Sequence, residues 1–191
     1  FRNNNNSFKQ SFLNSIIVTS GTVVLSLIIN VLAGYSLSLL RVPYKNLIFI
    51  LLILHFLIPI YSIFLPLYVF LYKINLNDSY LGLIIVYSVY VLPIGFFLMF
   101  NSFMSIPKSL REVAILNGSS ELKILFTIML PLAIPGFITL IIFAVYISWT
   151  DYLFAYIIMN SNDMQMLNVT LSKIGFRSNY PYAGYVISYL P

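Results

Sequence analysis

Residues 106–131 read I-P-K-S-L-R-E-V-A-I-L-N-G-S-S-E-L-K-I-L-F-T-I-M-L-P, a charged segment that is interrupted by a single glycine. Five of the fifteen charged residues of the chain (ten Lys or Arg, five Asp or Glu) lie in this segment. The sequence on both sides of it is strongly apolar. A charged segment between two apolar runs predicts a loop outside the membrane that another protein contacts.

The composition of the chain excludes an ordinary soluble domain. Hydrophobic residues make up 60% of the 191 residues and charged residues 8%, and the mean hydropathy is +0.95, whereas soluble domains carry about 25% charged residues. Four uncharged runs each exceed the ~20 residues that a helix needs to cross a bilayer: residues 10–40, 46–72, 79–107 and 124–150. We therefore predict an all-α polytopic transmembrane bundle with four complete spans and the start of a fifth after Arg177.

The predicted spans differ in regularity. The second, over residues 47–72, contains Pro59 and Pro66, so we expect a helix to about Ile58 followed by a broken piece. The third covers about 80–104 with a kink at Pro93, and the fourth about 131–152. The first covers about 15–40, and its small residues predict close packing against a neighbouring helix: Gly21, Ser26, Ala33, Gly34 and Ser36.

The ends and the charges of the chain limit further inference. The chain begins at Phe1 and stops inside an apolar stretch, so we expect a fragment without either end, forming one transmembrane domain over residues 1–191.

The absence of cysteine excludes disulfides and thiolate metal sites. The net charge of +5 includes no basic cluster, which argues against a nucleic-acid partner. If the turn from Arg41 to Lys45 and the charged segment lie on the same side of the membrane, the ten Lys and Arg residues divide five against five, so the positive-inside rule gives no orientation.

The first half of the charged segment predicts a short helix that ends at a glycine. Pro107 suits the first position of a helix, because the N–H that proline lacks has no intrahelical partner there. We expect this helix to run from Lys108 to Asn117. Gly118 then ends it, since a residue at positive φ is least costly as glycine.

The second half predicts an amphipathic helix at the membrane surface. Ser119 is expected to cap this helix, and Glu121 lies in its first turn, where a carboxylate favours the positive end of the helix dipole. The apolar residues follow helical spacing and form one stripe: Leu122, Leu125, Phe126, Met129 and Leu130. The loop over about residues 105–130 is therefore predicted to be a helix, a glycine turn and an amphipathic helix.

This loop resembles the signature loop of the membrane subunits of binding-protein-dependent ABC importers. Glu112-Val113-Ala114 is followed after three residues by Gly118, and after nine more by Ile128-Met129-Leu130-Pro131. The family pattern is E-A-A, three residues, G, nine residues, then I-x-L-P. Val113 departs from the usual alanine, and Asn117 stands where sugar importers often carry aspartate.

The resemblance extends over nearly the whole chain and is nearest to the maltose-type carbohydrate permeases. It includes Asn14-Ser15, the stretch from Ala33 to Ser38, and Trp149-Thr150-Asp151-Tyr152. Such subunits usually have six spanning helices, so the resemblance implies helices two to five and the start of helix six. Their signature loop is cytoplasmic, which implies an orientation for this chain.

The resemblance implies a multi-pass permease of an ATP-driven importer in a bacterial cell membrane, for a sugar or oligosaccharide, and not an enzyme. The implied partners are a cytoplasmic ABC ATPase dimer, a second homologous permease, an extracytoplasmic solute-binding protein and the lipid bilayer, with no cofactor. Importers of peptides, polyamines or ions share the loop pattern and remain alternatives, as does a carrier that needs no ATPase. The residues implied to dock on the ATPase are Glu112, Val113, Ala114, Asn117, Gly118, Ile128, Leu130 and Pro131.

Other polar residues support weaker hypotheses. Trp149 and Asp151 combine an aromatic ring with a carboxylate and are candidates for the substrate pathway, although an interface anchor and a structural acid are the favoured interpretation. His55 stands alone in an apolar helix, and we interpret it as a packed histidine rather than a metal or proton site. The sequence contains no P-loop lysine and no hydrolase motif, so any ATP that drives the protein is expected to bind another chain.

Overall fold

The structure, a computed structural model, describes residues 2–177. Every regular element within these residues is helical, which confirms the predicted all-α class. In chain order the elements are α1 (Arg2–Leu39), α2 (Lys45–Leu57), a 3₁₀ turn (Ile60–Ile63), α3 (Phe64–Lys73), α4 (Tyr80–Met104), α5 (Lys108–Leu116), α6 (Glu121–Ile124), a π-helical turn (Leu125–Met129), α7 (Leu130–Leu132), α8 (Ile134–Thr150), α9 (Leu153–Ile158) and α10 (Leu167–Arg177).

The number of continuous spans within residues 2–177 is smaller than the predicted four. Two helical stretches are long and apolar enough to cross a bilayer, Phe8–Leu39 in α1 and Tyr80–Met104 in α4. A third candidate combines Glu121–Leu132 with Ile134–Thr150, which are bent by 83° at the break between them. The second predicted span is instead two shorter apolar helices, α2 and α3. The predicted start of a fifth span lies outside the described residues.

Prolines account for the division of the second span. Pro59 has a ψ of 119° and precedes the 3₁₀ turn, so the helix stops just before it, as the sequence predicted. Pro66 is the third residue of α3, in the first turn, where backbone N–H groups have no intrahelical partner. Pro93 lies in the interior of α4, which continues through it. Of these three prolines, only Pro59 therefore coincides with the end of a helix.

The chain divides into two compact units. The first unit consists of Phe1–Val24, Ile58–Ser88 and Ala144–Pro191, and the second of Leu25–Leu57 and Val89–Phe143. The single domain over residues 1–191 stays a prediction.

The first unit packs α3, α9 and α10 with the adjoining parts of α1 and α4. Its buried core consists of apolar residues from all of these segments: Val18, Leu71, Leu83, Val86, Tyr87, Phe154, Ala155, Ile158, Met159, Met166 and Val169. Gly21 confirms the predicted close approach, since a Cβ built there would lie 2.5 Å from the Ile84 side chain. The unit is therefore held by close helix packing around an apolar centre.

Asn14 fixes the connection between α9 and α10 to α1 in this unit. It is fully buried, and its amide nitrogen donates to the backbone oxygens of Asp163, at 2.8 Å, and Gln165, at 3.0 Å. Its amide oxygen accepts hydrogen bonds from Tyr80, at 2.8 Å, and Gln10, at 3.0 Å. The neighbouring Ser15 hydroxyl accepts the N–H of Leu167 at 2.9 Å. The Asn14-Ser15 pair thus satisfies backbone groups of a connection that would otherwise lack partners.

The second unit joins the C-terminal part of α1 to α2, α5 and the adjoining parts of α4 and α8. Gly34 again confirms a close approach, because a Cβ there would lie 2.7 Å from the Met99 Cβ and 3.0 Å from backbone atoms of α4. Phe49 packs edge-on against Phe96 and Phe100, at 5.4 and 4.9 Å between ring centroids. The Lys45 ammonium lies 5.2 Å from the centroid of Phe100, a cation–π contact.

Candidate functional site

Helix α5 ends in a closed glycine turn that matches the prediction. Gly118 has a φ of +76°. Its N–H donates to the Ile115 oxygen at 2.8 Å, and the Ser119 N–H donates to the Ala114 oxygen at 3.1 Å. These two bonds are the paired hydrogen bonds of a Schellman motif, in which a glycine in the left-handed region satisfies the last carbonyls of a helix. The end of α5 is thus set by backbone bonds that need Gly118 at that position.

The start of the following helix differs from the prediction by one residue. Ser120, with extended backbone angles, is the residue before α6, and its side chain makes no capping hydrogen bond. The predicted capping by Ser119 is wrong, because the helix begins one residue later and Ser119 belongs to the glycine turn, where its N–H donates to the Ala114 oxygen. The first turn of α6 begins with Glu121, which bonds to other side chains.

Glu121 is the centre of a cluster that connects three elements of the second unit. Arg111 of α5 donates to the Glu121 carboxylate through Nε at 3.2 Å and forms an ion pair with it through Nη2. The hydroxyl of Tyr35, near the end of α1, donates to the same carboxylate at 2.6 Å. We call Tyr35, Arg111 and Glu121 the carboxylate cluster. It links α1, α5 and α6 through one acceptor group.

Sequence reasoning missed Tyr35 and Arg111 as members of the site. Tyr35 is 3% exposed and packs edge-on against Phe103, with 5.6 Å between ring centroids. It is 86 residues distant from Glu121 in sequence, so no local pattern joins them. The only available signal was the pair Arg111 and Glu121, opposite charges on the two sides of Gly118.

The residues expected to dock on a partner differ in exposure. Val113 is 56% exposed and Leu116 is 87% exposed, whereas Ala114 is 6% exposed and faces the interior of the second unit. Glu112, Asn117 and Gly118 are exposed, and the Asn117 side chain donates to the Val113 oxygen at 3.0 Å. The face of α5 that a partner can reach therefore carries Val113 and Leu116, and not Ala114.

The predicted apolar stripe after Ser120 is only partly buried. Leu125 and Met129 are buried together with Ile124, whereas Leu122 is 64% exposed and Phe126 57% exposed. Residues 125–129 form a π-helical turn, in which the N–H of Leu130 reaches back to the oxygen of Leu125. This extra residue per turn shifts the side chains from the regular spacing that the stripe assumed.

The last three predicted docking residues lie where this turn meets α7. Pro131 is exposed, and Ile128 and Leu130 are half-buried. Pro131 has no N–H to continue the hydrogen bonding, and Ala133 then separates α7 from α8. These residues therefore shape the sharp bend before α8.

Trp149 and Asp151 lie at the end of α8 in the first unit, and their contacts are within the chain. The Asp151 carboxylate accepts the Tyr87 hydroxyl at 3.0 Å and the N–H of Phe154 at 2.9 Å, so it caps the start of α9. Trp149 is half-buried and packs edge-on against Phe12, with 6.1 Å between ring centroids. These contacts are those of a structural acid and a packed aromatic, and a role in the substrate pathway stays a prediction.

His55 lies half-buried on α2 in the second unit. Within the part of the chain that the structure describes, no group of three or more His, Asp and Glu side chains is arranged to hold a metal ion.

A protein-family model described as "Binding-protein-dependent transport system inner membrane component" matches residues 27–191 of the chain. The matched range includes Tyr35, the whole of α5 and the glycine turn.

Two curated relatives and one solved structure are similar to the chain. The arabinooligosaccharides transport system permease protein AraQ of Bacillus subtilis is 31% identical over 94% of this chain and 65% of its own length. The sulfoquinovosyl glycerol transport system permease protein SmoH of Agrobacterium fabrum is 34% identical over 78% of this chain and 52% of its own length. A chain of a bacterial ABC transporter involved in the import of the acidic polysaccharide alginate superposes with a TM-score of 0.83 and 26% identity, over 95% of this chain and 64% of that chain. The chain thus spans less than two thirds of the length of each.

Proposed function

Because the chain belongs to the family of inner membrane components of binding-protein-dependent transport systems, we propose that it acts as the transmembrane permease subunit of an ATP-driven ABC importer for a sugar or oligosaccharide. The family description and the apolar helices place it in the bacterial cytoplasmic membrane as a multi-pass protein. The names of the relatives AraQ and SmoH, which refer to arabinooligosaccharides and sulfoquinovosyl glycerol, support a sugar or oligosaccharide as the substrate class. The proposed role is transport and not catalysis.

The observation that carries this proposal is the geometry of α5. An exposed apolar pair, Val113 and Leu116, stands on a helix whose end is closed by the glycine turn. The same helix is held through Arg111 to the carboxylate cluster and thereby to α1. A helix that is exposed on one side and rigidly attached on the other transmits displacement instead of absorbing it.

We place the ATPase on the exposed face of α5. In this scheme the ATPase dimer contacts Val113 and Leu116, together with the exposed Glu112 and Asn117. Closure of the dimer on ATP displaces α5, and the carboxylate cluster passes the displacement to α1. A second permease completes the pathway, and an extracytoplasmic solute-binding protein delivers the sugar to it. This is alternating access driven from one end of the helices.

A cross-linking experiment tests the proposal, and these 191 residues contain no native cysteine that would compete with an introduced one. The full-length permease carries Leu116→Cys and is co-expressed with its ATPase, which carries a cysteine in the cleft expected to receive α5. We expect a disulfide adduct in native membranes whose yield changes when ATP or vanadate is added. Ala114→Cys is the matched control, because that position is 6% exposed and should give little adduct.

The outcomes separate the proposal from its rivals. No adduct at Leu116 in a strain that shows ATP-dependent uptake would remove α5 as the docking helix. Labelling of Leu116→Cys from outside intact cells would reverse the orientation and favour a carrier that needs no ATPase. An ATP-sensitive adduct with uptake of a peptide, polyamine or ion, and no sugar, would keep the importer and replace its substrate.

A further inference from the structure

A cavity of about 340 Å³ in the first unit has no part in the scheme above. It lies among α3, α9, α10 and the connection between α9 and α10. Its polar and aromatic lining consists of Tyr68, Tyr156, Asn160, Gln165 and Lys173. The volume is at the lower end of the range for small-molecule sites.

The side of the membrane on which this cavity lies follows from the chain. In chain order the α3–α4 connection precedes α4 and α5 follows it, and α4 is long and apolar enough to cross a bilayer. Asp78 of the α3–α4 connection accepts the Ser161 N–H at 3.0 Å, which holds the α9–α10 connection beside it. If α5 is cytoplasmic, as proposed above, and α4 crosses the membrane once, these two connections belong to the extracytoplasmic side.

An ordered aromatic ring forms one wall. Tyr156 is 47% exposed, and Tyr152 stacks on it with 5.5 Å between ring centroids and an angle of 12° between the rings. The Lys173 ammonium lies 5.8 Å from the centroid of the Tyr156 ring. Stacking on Tyr152 orients the Tyr156 ring, and the cation–π contact with Tyr156 keeps the Lys173 ammonium group at the cavity.

Two carboxamides supply neutral hydrogen-bonding groups. Gln165 is 6% exposed, and its nitrogen donates to the Asn162 side chain at 3.3 Å, so the amide is held in place. Its backbone is fixed by the bond from Asn14 at 3.0 Å. Asn160 is exposed at the same cavity. An amide both donates and accepts, which suits the hydroxyl groups of a sugar.

The charge of Lys173 is not neutralised by the acids near it. Within residues 2–177 the structure contains no ion pair of Lys173, and Asp163, the nearest acid along the chain, is not among the residues that line the cavity. Two other acids of this unit bond elsewhere. The Asp78 carboxylate accepts hydrogen bonds from Ser161, and the Asp151 carboxylate accepts them from Tyr87 and the start of α9. An anionic group entering the cavity would find an ammonium without a competing carboxylate.

We propose that this cavity is a subsite for an acidic saccharide, in which Lys173 pairs with the carboxylate of the sugar, Gln165 and Asn160 bond its hydroxyls, and the tyrosines contact its ring. The proposal rests on the proposed sugar-import function and assigns a substrate class within it. Lys173 is then the residue that selects acidic over neutral sugars.

The test is direct binding to the full-length permease, purified with its partner subunits in lipid nanodiscs without nucleotide. Saturation-transfer NMR compares methyl glucuronide with methyl glucoside, and acetate serves as a competitor. We expect the glucuronide to bind, with at least tenfold weaker binding after Lys173→Gln and little change after Lys173→Arg. Lys73→Gln is the matched control, because it removes an exposed charge of the same unit that does not line this cavity.

Each other outcome overturns the proposal. Equal binding of glucoside and glucuronide, unaffected by Lys173→Gln, removes the selection for acid. Competition by acetate as strong as by the glucuronide itself shows a simple anion site and not a saccharide site. Binding of neither probe removes the subsite. This binding measurement uses no ATP, so a negative result does not bear on the proposed docking of the ATPase at Leu116. Conversely, a failed cross-link at Leu116 together with normal glucuronide binding would contradict only the proposed importer mechanism.

Discussion

The hydroxyl of Tyr35 donates a 2.6 Å hydrogen bond to the carboxylate of Glu121, the first residue of α6. Tyr35 is buried and held against Phe103, so it cannot follow Glu121 if that residue moves away. Arg111 bonds the same carboxylate from α5. Movement of α5 therefore either carries α1 with it or breaks this cluster, which makes the cluster the point where transmission can be tested.

Removing the Tyr35 hydroxyl should uncouple ATP hydrolysis from transport. Tyr35→Phe keeps the ring packing and loses one hydrogen bond to a charged group, a change of about 1.5–3 kcal/mol. We expect uptake to fall about fivefold or more at equal membrane abundance, while ATPase activity of the assembled transporter persists. Uptake and ATP hydrolysis are measured in the same proteoliposomes. Tyr44→Phe, at a tyrosine that is 81% exposed, is the matched control and should leave both unchanged.

The ion pair of the cluster can be tested by reversal of charge. Arg111→Glu and Glu121→Arg each place like charges across the glycine turn and should lower uptake. The double variant restores the opposite pair and should recover part of it, with an interaction energy of about 0.5–1 kcal/mol, since both side chains are partly exposed to water. Strictly additive losses in a double-mutant cycle of uptake would mean that the two side chains act separately.

Substitutions of Gly118 should follow the cost of the left-handed backbone. A non-glycine residue at φ +76° pays about 1–2 kcal/mol, and asparagine pays least. No atom lies within 4 Å of a Cβ built there, so the cost is conformational and not steric. We expect uptake in the order wild type, Gly118→Asn, Gly118→Ala, Gly118→Val. Gly118→Pro should abolish it, because proline cannot adopt this φ and has no N–H for the Ile115 oxygen.

Membrane insertion and abundance distinguish a broken turn from a misfolded protein. All Gly118 variants should insert at wild-type levels, since the turn is exposed. Equal uptake by Gly118→Val and Gly118→Asn would show that the turn geometry has no part in coupling.

Gly34 should tolerate no side chain. A Cβ there would meet the backbone of Met99 and Phe100 at 3.0 Å, and backbone cannot give way as a flexible side chain can. Gly34→Ala should lower stability by about 1–3 kcal/mol, the usual cost of overpacking, and the loss should appear as a lower melting temperature in detergent. Ser36→Ala, on the same helix, is the control. A melting temperature for Gly34→Ala within one degree of wild type would contradict this close approach.

The parts of the site that local pattern determines were predictable. Pro107, the helix after it and Gly118 were predicted within a residue, because a helix end and a left-handed glycine follow from neighbouring residues. Ser119 was assigned the wrong role, because the glycine turn extends through Ser119 and the next helix begins after Ser120. The π-helical turn was not predicted, since its bonds depend on Pro131 and the bend before α8.

The long-range parts of the site and fold were not predictable from one sequence. The bond between Tyr35 and Glu121 depends on how α1 packs, and the burial of Ala114 depends on tertiary packing that the local sequence does not specify. The second apolar run has the length of a span, and only the helix break near Pro59 showed that it divides. The role of Asn14 as an anchor of the α9–α10 connection needed the positions of carbonyls about 150 residues away, which appear only in the folded chain.

The bond between Asp78 and Ser161 predicts an acid-sensitive contact between two connections of the first unit. Burial raises the pKa of Asp78, but hydrogen bonds from the Ser161 side chain and from the backbone N–H groups of Ser161 and Asn160 outweigh it, so its pKa lies below the usual value. A carboxyl group whose pKa is lower in the folded state stabilises the fold above the unfolded pKa of about 3.9, and this contribution disappears as the pH falls through the folded pKa. The melting temperature of Asp78→Asn should therefore lie about 2–4 °C below wild type at pH 6, and the difference should shrink as the pH falls below about 3.9 toward the folded pKa. Asp163→Asn removes one charge from the connection that Asp78 contacts and is the control. If the melting temperatures of Asp78→Asn and wild type differ by the same amount at pH 3 as at pH 6, the carboxylate charge makes no contribution.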